Sequence, residues 1–430
     1  MSMRELAPRV REASIRLAGT PAEMKDNALA RIAAALEERK AEISAANRKD
    51  LERSKAENLP APLLKRLAFD EAKIRDAVDG VKSLISLDDP VGRTLLSTEL
   101  DEGLELYKVT CPIGVIGVIF ESRPDALVQI STLGLKSGNA VLLKGGSEAK
   151  ETNRILAEVI TKAADEAGIA RDWLALLETR DDVSEMLKMD EYIDLVIPRG
   201  SNEFVRYIMD NSRIPVLGHA DGICHCYVDE GADLDMAVRI VVDAKTQYVA
   251  VCNATETLLV HEKAAREFLP ALRQTLGDRV ELLGCPRTRA VIPAAPAAEE
   301  DWRTEYLDYK LSVKVVSGLD EAIEHINRYG SGHTDSIITR DRERAARFMD
   351  YVDAGNVFWN CSTRFSDGFR YGFGAEVGIS TGKIHSRGPV GLDGLVIYKY
   401  KLIGDGHIVA DYAGRARSFK HKKMDRQFPL

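Results

Sequence analysis

The stretch IGVIGVIFESRPDALVQISTLGLKSGNAVLLKGGSEA, residues 113–149, decides the fold. It opens with a short apolar run typical of a buried strand and continues with apolar residues at helical spacing. A second apolar run then ends before two glycines. A strand, a helix and a strand in this order are typical of a parallel sheet, whose strands need a crossover connection. We therefore predict a doubly wound α/β domain here.

The same rhythm continues to Leu217. The predicted strands are Val115–Phe120, Ala140–Lys144, Leu174–Leu177 and Ile193–Ile197. The predicted helices between them are Asp125–Lys136, Ala149–Ala167 and Val183–Lys188. Ligands of such sheets bind beyond the carboxyl ends of the strands, so the residues that follow each strand are the candidates for binding.

A second α/β series starts at Ile223. Its predicted strands are Cys224–Val228, Thr255–His261, Val313–Val316, Ser336–Thr339 and Asn356–Asn360, and its predicted helices include Leu234–Gln247, Leu319–Arg328 and Arg342–Val352. The segment from Ala290 to Thr304 is rich in alanine, proline and charge, which indicates a surface loop. The chain is thus predicted to hold two α/β domains.

The remaining segments are of two kinds. Apolar residues at helical spacing among dense charges predict helices over Pro21–Asn58 and Pro62–Leu87. LLSTELDEGLELYKVTC, residues 95–111, has two alternating runs around Asp101-Glu102-Gly103 and predicts a hairpin. The alternating run GLVIYKYKL, residues 394–402, is a candidate third strand. Such an arm has little core of its own and needs support, for which another subunit is one candidate.

Length and composition narrow the function classes. The 430 residues exceed what one core usually accommodates, and 45% hydrophobic with 29% charged residues is ordinary for a soluble globular protein. A net charge of -8 gives no electrostatic case for nucleic acid. No signal core or membrane-spanning run is present. The six scattered cysteines fit no metal-binding or redox spacing, so we expect a reduced cytoplasmic protein without a metal.

The run DAKTQYVAVCNATETLLVH, residues 243–261, is the predicted chemical centre. It places Cys252 in a tight turn between a helix and a strand, where freed N–H groups stabilise a thiolate or an oxyanion. Asn253 can donate a hydrogen bond, and small neighbours leave the sulfur open to a carbonyl substrate. Cys252 is the candidate nucleophile. The alternative is a buried, inert cysteine, which is the common role of a free thiol.

Two turns are candidates for binding a nucleotide. Gly200 and Ser201 come after a strand and before a helix, whose N-terminus attracts a phosphate. An ordinary helix cap is the alternative there. Lys144 ends a strand before Gly145 and Gly146, which leave it uncovered for ribose hydroxyls or phosphate. A solvated loop lysine is the alternative.

Five long motifs carry a resemblance that covers essentially the whole chain. They are CPIGVIGVIFESRPD at 111–125, LKSGNAVLLKGGSEA at 135–149, IPRGSNEFVRYI at 197–208, VCNATETLLVH at 251–261 and FGAEVGISTGKIHSRGPVGLDGL at 373–395. The chain resembles the glutamate-5-semialdehyde dehydrogenases, the proline-biosynthetic branch of the aldehyde dehydrogenase superfamily. The resemblance implies a cofactor-binding domain over 1–94 and 113–222 and a catalytic domain over 223–385. It also implies an oligomerisation arm over 95–112 and 392–412.

The resemblance also implies a reaction, the NADPH-dependent reduction of L-glutamyl 5-phosphate to L-glutamate 5-semialdehyde and phosphate. By this resemblance, Cys252 is expected to be the nucleophile. Lys144 and the Gly200-Ser201 turn are expected to face NADP(H), and Glu305 is expected to bind the nicotinamide ribose. The Cys252 backbone N–H and the Ser122 side chain are the expected oxyanion donors. A homodimer or homotetramer is expected, and an upstream glutamate 5-kinase is a candidate partner.

Two departures from the wider superfamily are informative. Hydrolytic members carry a glutamate base before a Leu-Gly pair, whereas this chain has Val216 before Leu217-Gly218, so no water is activated against a thioester. Three residues after Lys144, NAD-preferring members carry a glutamate, whereas this chain has Ser147. The missing charge removes repulsion of a 2′-phosphate and predicts NADP over NAD.

The substrate's carboxylate, amine and phosphate call for guanidinium groups and a carboxylate. Arg123, Arg364 and Arg370 are the candidate cations, Glu121 is the candidate partner of the ammonium, and His219 is a candidate to assist the departing phosphate. Ion pairs unrelated to function and a loop histidine with ordinary partners are the alternatives. Rival functions are an acyl-thioester or plain aldehyde dehydrogenase, and a binding or assembly protein that does not use its thiol.

Overall fold

The structure is a computed structural model that describes residues 2–121 and 123–430. Its helices are α1 Met3–Ala18, α2 Ala22–Glu38, α3 Lys40–Ala56, α4 Ala61–Leu67, α5 Glu71–Ile85, α6 Pro124–Lys136, α7 Lys150–Glu166, α8 Arg180–Met186, α9 Asn202–Asn211, α10 Leu234–Thr246, α11 Glu262–Leu276, α12 Pro286–Arg289, α13 Leu319–Tyr329, α14 Arg342–Tyr351 and α15 Val409–Ala413. Its strands are β1 Thr94–Asp101, β2 Leu104–Pro112, β3 Val115–Phe120, β4 Ala140–Lys144, β5 Leu174–Leu177, β6 Leu195–Arg199, β7 Cys224–Val228, β8 Thr255–His261, β9 Glu281–Gly284, β10 Ala295–Pro296, β11 Lys310–Val316, β12 Thr334–Ile338, β13 Asn356–Trp359, β14 Gly378–Ser380, β15 Gly388–Val390, β16 Val396–Ile403 and β17 Lys422–Met424.

The chain divides into two compact units, of which the first comprises residues 1–200, 207–217 and 390–430. Its parallel sheet has the strand order β5-β4-β3-β6, with Val115 opposite Ala140. Every residue of β3 and β4 is buried, as expected for strands covered on both faces. Helices α6 and α7 cross between strands, and α2, α3 and α5 pack on them. The amino-terminal helices are therefore packing material for this sheet.

Strand β6 and helix α8 differ from the sequence predictions for this unit. Strand β6 starts at Leu195 because the Ile193 N–H already donates to the Met189 carbonyl in the preceding turn. It continues through Pro198, which is tolerated because β6 is the edge strand of this sheet. Helix α8 begins three residues early because Thr179 and Asp182 form a reciprocal capping box.

An antiparallel arm sheet with the order β16-β2-β1-β17 belongs to the first unit. The predicted hairpin is confirmed as β1 and β2, and β16 pairs with β2 over eight positions from Val396 to Ile403. The carboxyl-terminal β17 pairs with the other edge, β1. The Phe428 ring then packs edge-on against Tyr107, which is buried. The two outer strands of the arm sheet, β16 and β17, thus both come from the carboxyl-terminal part of the chain.

The second unit comprises residues 201–206 and 218–389 and is built on a parallel sheet with the order β10-β9-β11-β8-β7-β12-β13. Successive residues of a strand point to opposite faces, and here they join different apolar clusters. Leu258 packs with Phe268 of α11 in one cluster, and Leu259 packs with Phe348 of α14 in the other. A doubly wound parallel sheet in each unit and the antiparallel arm confirm the predicted α/β architecture of two such domains with a hairpin arm.

The segment from Ala290 to Thr304, predicted as a surface loop, is exposed over much of its length but also contains regular structure. Strand β10 lies in it and pairs with β9, and Trp302 is buried against the sheet. Alanine and proline conceal these elements because they give no periodic signal. All six cysteines are free thiols. Within residues 2–121 and 123–430, no helix combines the length and apolarity that a bilayer crossing requires.

Candidate active site

The Cys252 turn lies between α10 and β8 in the second unit. Cys252 and Asn253 form its centre, and the Ala254 N–H closes it on the Val251 carbonyl at 3.1 Å. The Cys252 side chain is half-buried, whereas β8 beyond it is fully buried. Among the described residues no group accepts from the Cys252 N–H. The turn therefore presents one accessible sulfur beside a free backbone donor.

Neighbouring side chains hold this turn in place. Asn253 donates through Nδ2 to the Ser366 carbonyl at 2.7 Å, and Thr363 Oγ1 donates to the Asn253 carbonyl at 2.7 Å. Cys224 Sγ donates to the Cys252 carbonyl at 3.2 Å, and burial raises the pKa of the Cys224 thiol well above its usual value. Three hydrogen bonds from buried groups thus fix the backbone that carries the nucleophile, and the Asn253 amide is committed to that task.

Gly222 packs directly against the backbone of Cys252. A Cβ at this position would lie 2.1 Å from the Cys252 carbonyl oxygen and 2.4 Å from its Cα, closer than atoms approach in proteins. Only glycine allows this contact. The segment that contains Gly222 also carries His219, so the close approach brings that histidine to the sulfur.

Two histidines lie beside Cys252. Ligand atoms of His219, Cys252 and His333 all lie within 4.8 Å of one another, and the two imidazole rings meet edge to face at 4.7 Å between centroids. The His219 Nδ1 lies 2.8 Å from the Ile379 carbonyl, which can only accept, so Nδ1 is the donor, and the described residues provide no hydrogen-bond partner for Nε2. The sequence pointed to His219 but not to His333.

Two arginines of the second unit lie near the same turn. Arg364 is buried, and its Nε donates to Gln247 Oε1 at 3.0 Å. Burial, helped by the positive charge of Arg370, lowers the pKa of Arg364, while the Cys252 sulfur counteracts this. Arg370 donates through Nη1 to the Arg364 carbonyl at 2.9 Å. The structure thus brings two of the three predicted substrate cations, Arg364 and Arg370, into the surroundings of the thiol.

Glu305 is tied to the start of α9. Its Oε2 accepts from Asn202 Nδ2, which lies directly after Ser201 and also donates to Asp221 at 3.1 Å. The first helical hydrogen bond of α9 runs from the Val205 N–H to the Ser201 carbonyl at 2.9 Å. The Asn202 side chain therefore holds Glu305, one predicted cofactor residue, close to the backbone that follows Ser201, another predicted cofactor residue.

The other predicted cofactor residues belong to the first unit. Lys144 ends β4, and Gly200 follows β6 in the same parallel sheet, so both lie at its carboxyl edge as the sequence predicted. The expectation that glycines leave Lys144 uncovered is wrong, because its side chain is buried and Nζ donates to the Gly145 carbonyl at 2.6 Å. Ser147 is exposed at the start of a short 3₁₀ turn.

Glu121 and Arg123 are exposed residues of the first unit. The Glu121 N–H donates to the Arg199 carbonyl at 3.2 Å, which attaches this loop to β6. Arg123 pairs with Asp125 at 3.2 Å, the ordinary ion pair that was its alternative role. Ser122, the predicted oxyanion donor, lies outside the described residues.

Little in the local sequence pattern indicated a role for His333, Gly222, Thr363 and Ser366. They reach the Cys252 turn through the parallel pairing of β12 with β7 and of β7 with β8, and through the segment after β13. One signal was available: His333 follows Gly330-Ser331-Gly332 and immediately precedes a strand. Irregular glycine-rich turns before buried strands are common places for functional side chains.

Comparisons with known proteins agree on one family. The sequence model described as the aldehyde dehydrogenase family matches residues 3–289 and 302–375. A gamma-glutamyl phosphate reductase of Pelotomaculum thermopropionicum is 77% identical over 431 residues, with 100% of this chain and 99% of that protein covered. One of Acetivibrio thermocellus is 74% identical, with 100% of both covered.

Solved structures give the same answer. The crystal structure of gamma-glutamyl phosphate reductase from Thermotoga maritima matches with a TM-score of 0.93 and 43% identity, and the match covers 95% of this chain and 100% of that one. An acetylating aldehyde dehydrogenase from Geobacillus thermoglucosidasius matches with a TM-score of 0.64 at 17% identity, covering 94% and 97%. The second match concerns the fold alone.

Proposed function

The chain belongs to the gamma-glutamyl phosphate reductases of the aldehyde dehydrogenase family, and from this premise we propose how its residues reduce L-glutamyl 5-phosphate to L-glutamate 5-semialdehyde in proline biosynthesis. The observation that supports this proposal is the half-buried Cys252 sulfur, which lies beside two imidazoles and a backbone N–H with no acceptor among the described residues. A thiol in such surroundings is suited to attack an activated acyl group.

In the first step the Cys252 thiolate attacks the acyl carbon of the mixed anhydride. A C–S bond forms, the bond from the acyl carbon to the phosphate oxygen breaks, and inorganic phosphate leaves with the electron pair. The tetrahedral oxyanion accepts from the Cys252 N–H. His219 faces the departing phosphate through Nε2, and Arg364 and Arg370 supply positive charge for the anionic groups of the substrate.

In the second step the thioester carbon receives a hydride, and the resulting thiohemiacetal collapses to the aldehyde and the free thiolate. A bound nicotinamide cofactor, which the family uses, supplies that hydride. The residues fit such a cofactor: Lys144 is the last residue of β4, the Gly200-Ser201 turn follows the carboxyl end of β6, and a ten-residue helix starts after that turn. Glu305 is the proposed partner of the nicotinamide ribose hydroxyls.

We propose NADP(H) rather than NAD(H) as this cofactor. The support is Ser147, an uncharged and exposed side chain at the position where a carboxylate would repel a 2′-phosphate. Val216 in place of a carboxylate base supports phosphate or hydride, rather than water, as the acceptor of the acyl group. Both features suit a phosphorylating enzyme that works in the direction of biosynthesis.

The test runs the reaction in reverse, as phosphate-dependent reduction of NADP by glutamate semialdehyde. Cys252→Ala should abolish it, and mass spectrometry should show the glutamyl thioester on the wild-type protein alone. Cys361→Ala removes another half-buried thiol and should change neither readout. Full activity of Cys252→Ala would remove the cysteine from the mechanism. Oxidation without phosphate would favour a hydrolytic aldehyde dehydrogenase.

We also propose that the arm sheet joins subunits of a homodimer or homotetramer. The arm exposes large apolar side chains in the single chain. Examples are Tyr400 and Leu402 on β16, which are 61% and 58% exposed, and Leu95 on β1, which is 55% exposed. Apolar side chains gathered on a thin sheet are typical of a contact surface. Tyr400→Asp with Leu402→Asp should reduce the mass measured by light scattering to that of the monomer, and an unchanged mass would exclude the arm.

The proposed location is the cytoplasm, because six free thiols persist in a reducing compartment. The substrate is an acyl phosphate, so a kinase that phosphorylates the side-chain carboxylate of glutamate must supply it. Glutamate 5-kinase is therefore the proposed partner in the sequence of reactions.

A further inference from the structure

The cluster of His219, Cys252 and His333 has a property that the reduction does not use. A thiol and two imidazoles supply three atoms that bind transition metals, and these atoms lie within 4.8 Å of one another. No carboxylate belongs to the cluster among the described residues. Sulfur and nitrogen donors without oxygen donors favour zinc and disfavour magnesium and calcium.

Both histidines are held as metal ligands usually are. His219 Nδ1 donates to the Ile379 carbonyl, which fixes the ring and leaves the Nε2 lone pair available. A hydrogen bond from the second ring nitrogen to a backbone carbonyl is the common support of a metal-bound histidine. His333 is fully buried, its Nδ1 lies 2.8 Å from Thr334 Oγ1, and its Nε2 has no partner among the described residues.

The unpartnered Nε2 of His333 is a second, independent indication. A buried ring nitrogen without a hydrogen-bond partner lowers the stability of the folded protein, so such nitrogens are rare and often have a functional reason. Gly222, packed on the Cys252 backbone, and the two hydrogen bonds that fix Asn253 hold the sulfur in place, with a ligand atom of His333 within 4.8 Å of it. A bound cation with a free coordination position would satisfy the nitrogen.

The geometry requires a small adjustment. On a tetrahedral zinc ion, bonds of about 2.0 Å to nitrogen and about 2.3 Å to sulfur place ligand atoms roughly 3.3–3.6 Å apart. The separations here are up to 4.8 Å, so the side chains must close by about 1 Å. Cys252 is only half-buried, which leaves its side chain room to rotate towards the two rings.

We propose that His219, Cys252 and His333 bind one Zn²⁺ ion, which withdraws the thiolate from catalysis and makes the enzyme reversibly sensitive to zinc. Three protein ligands leave one position for water, phosphate or a chelator, so the ion can be removed. Inhibition rests on the proposed role of Cys252 in the reaction. Binding of the ion does not rest on it.

The experiment therefore measures binding and activity separately on the full-length protein after treatment with chelator. Titration with Co²⁺ should give one equivalent bound and a thiolate-to-cobalt charge-transfer band, and Zn²⁺ should abolish that band by displacement. Zn²⁺ should also inhibit the wild-type enzyme and slow the alkylation of Cys252 by iodoacetamide, and chelator should reverse both effects.

The variants locate the ion. Cys252→Ser should remove the charge-transfer band, and His219→Asn and His333→Gln should each weaken Zn²⁺ binding at least about tenfold. Cys361→Ala and the exposed His421→Gln are controls that should bind like the wild type. If circular dichroism shows that the buried His333→Gln does not fold, the half-buried His219→Asn decides.

Wild-type affinity in His219→Asn, or a cobalt complex without the charge-transfer band, would overturn the zinc site. A zinc complex with all these properties in an enzyme whose Cys252→Ala variant keeps full turnover would overturn the proposed catalytic role and leave the site standing. The two failures are thus distinguishable.

Discussion

Lys245 donates a hydrogen bond to the carboxylate of Glu256 at a point where neither side chain is exposed. Burial raises the pKa of Glu256 to about 7 against the opposing effect of Lys245, and burial lowers the pKa of Lys245. The other oxygen of Glu256 accepts from the Leu307 N–H at 3.2 Å. This pair therefore anchors the loop that carries Glu305, the proposed contact of the nicotinamide ribose.

Replacement of Glu256 by Gln should destabilise the protein by about 3 kcal/mol, because it leaves a buried lysine without its partner. The double variant Lys245→Met with Glu256→Gln should recover much of this loss, since it removes the unpaired charge. Urea denaturation of the three proteins measures the effect. A single variant as stable as the wild type would show that the pair does not hold this part of the sheet.

Replacement of Gly222 by Ala should impair catalysis more than stability. The added Cβ would force the Cys252 backbone away, and a displacement of about 1 Å at a nucleophile costs about 100-fold in rate. Gly80→Ala is the matched control, because its Cβ would meet nothing within 4 Å and helix α5 should gain about 0.5–1 kcal/mol. Steady-state kinetics on both variants decides, and wild-type turnover of Gly222→Ala would contradict the contact.

Replacement of Ser147 by Glu should shift the preference from NADPH towards NADH. A carboxylate near the 2′-phosphate should raise KM for NADPH about tenfold, which corresponds to about 1.4 kcal/mol of repulsion. KM for NADH should change little. Ser83→Glu, an equally exposed position on α5, should alter neither constant. Unchanged KM values for both cofactors in Ser147→Glu would remove this residue from the specificity site.

Asp229 should make stability depend on pH below about 4. Burial raises its pKa, but hydrogen bonds from Arg344 at 2.6 Å, from Tyr227 and from Thr339 prevail and hold the pKa below its usual value. A lowered pKa means that the unfolded chain binds the proton first. The stabilisation is thus complete above about pH 4 and is lost as pH falls below that value.

Asp229→Asn tests this dependence. The variant should unfold more easily than the wild type at pH 7, by about 3 kcal/mol, and the difference should shrink as the pH is lowered below about 4. Asp393→Asn, which removes the partner of an exposed ion pair with Arg93, should follow the wild-type curve. A constant difference between Asp229→Asn and the wild type at all pH values would contradict the lowered pKa.

Local pattern predicted the elements well where periodicity was strong. The bounds of β3, β4 and β5 match the structure because each is a continuous apolar run between glycines and charged residues. Helix α8 was misplaced because its start depends on one side-chain cap. The Cys252 turn was visible in the sequence because a helix ends and a strand begins around it.

The surroundings of Cys252 were only partly predictable. His333 lies 81 positions further along the chain and reaches the sulfur only through the order of β8, β7 and β12, which no local pattern encodes. The burial of Lys144 was missed for a similar reason: two glycines suggest an open loop, whereas Asn153 and Phe120 fill the space beside Gly145. Long-range packing, rather than propensity, decides both positions.

The arm sheet has a consequence for synthesis on the ribosome. Strand β2 is complete at Pro112, but its outer neighbour β16 starts only at Val396, after the whole second unit has been made. At roughly 5–20 residues per second, the nascent hairpin presents an unpaired edge for tens of seconds. An unpaired strand edge can pair with a strand of another chain and so cause aggregation. Until β16 is synthesised, we therefore expect the growing chain to need protection by chaperones or a low concentration of other nascent chains.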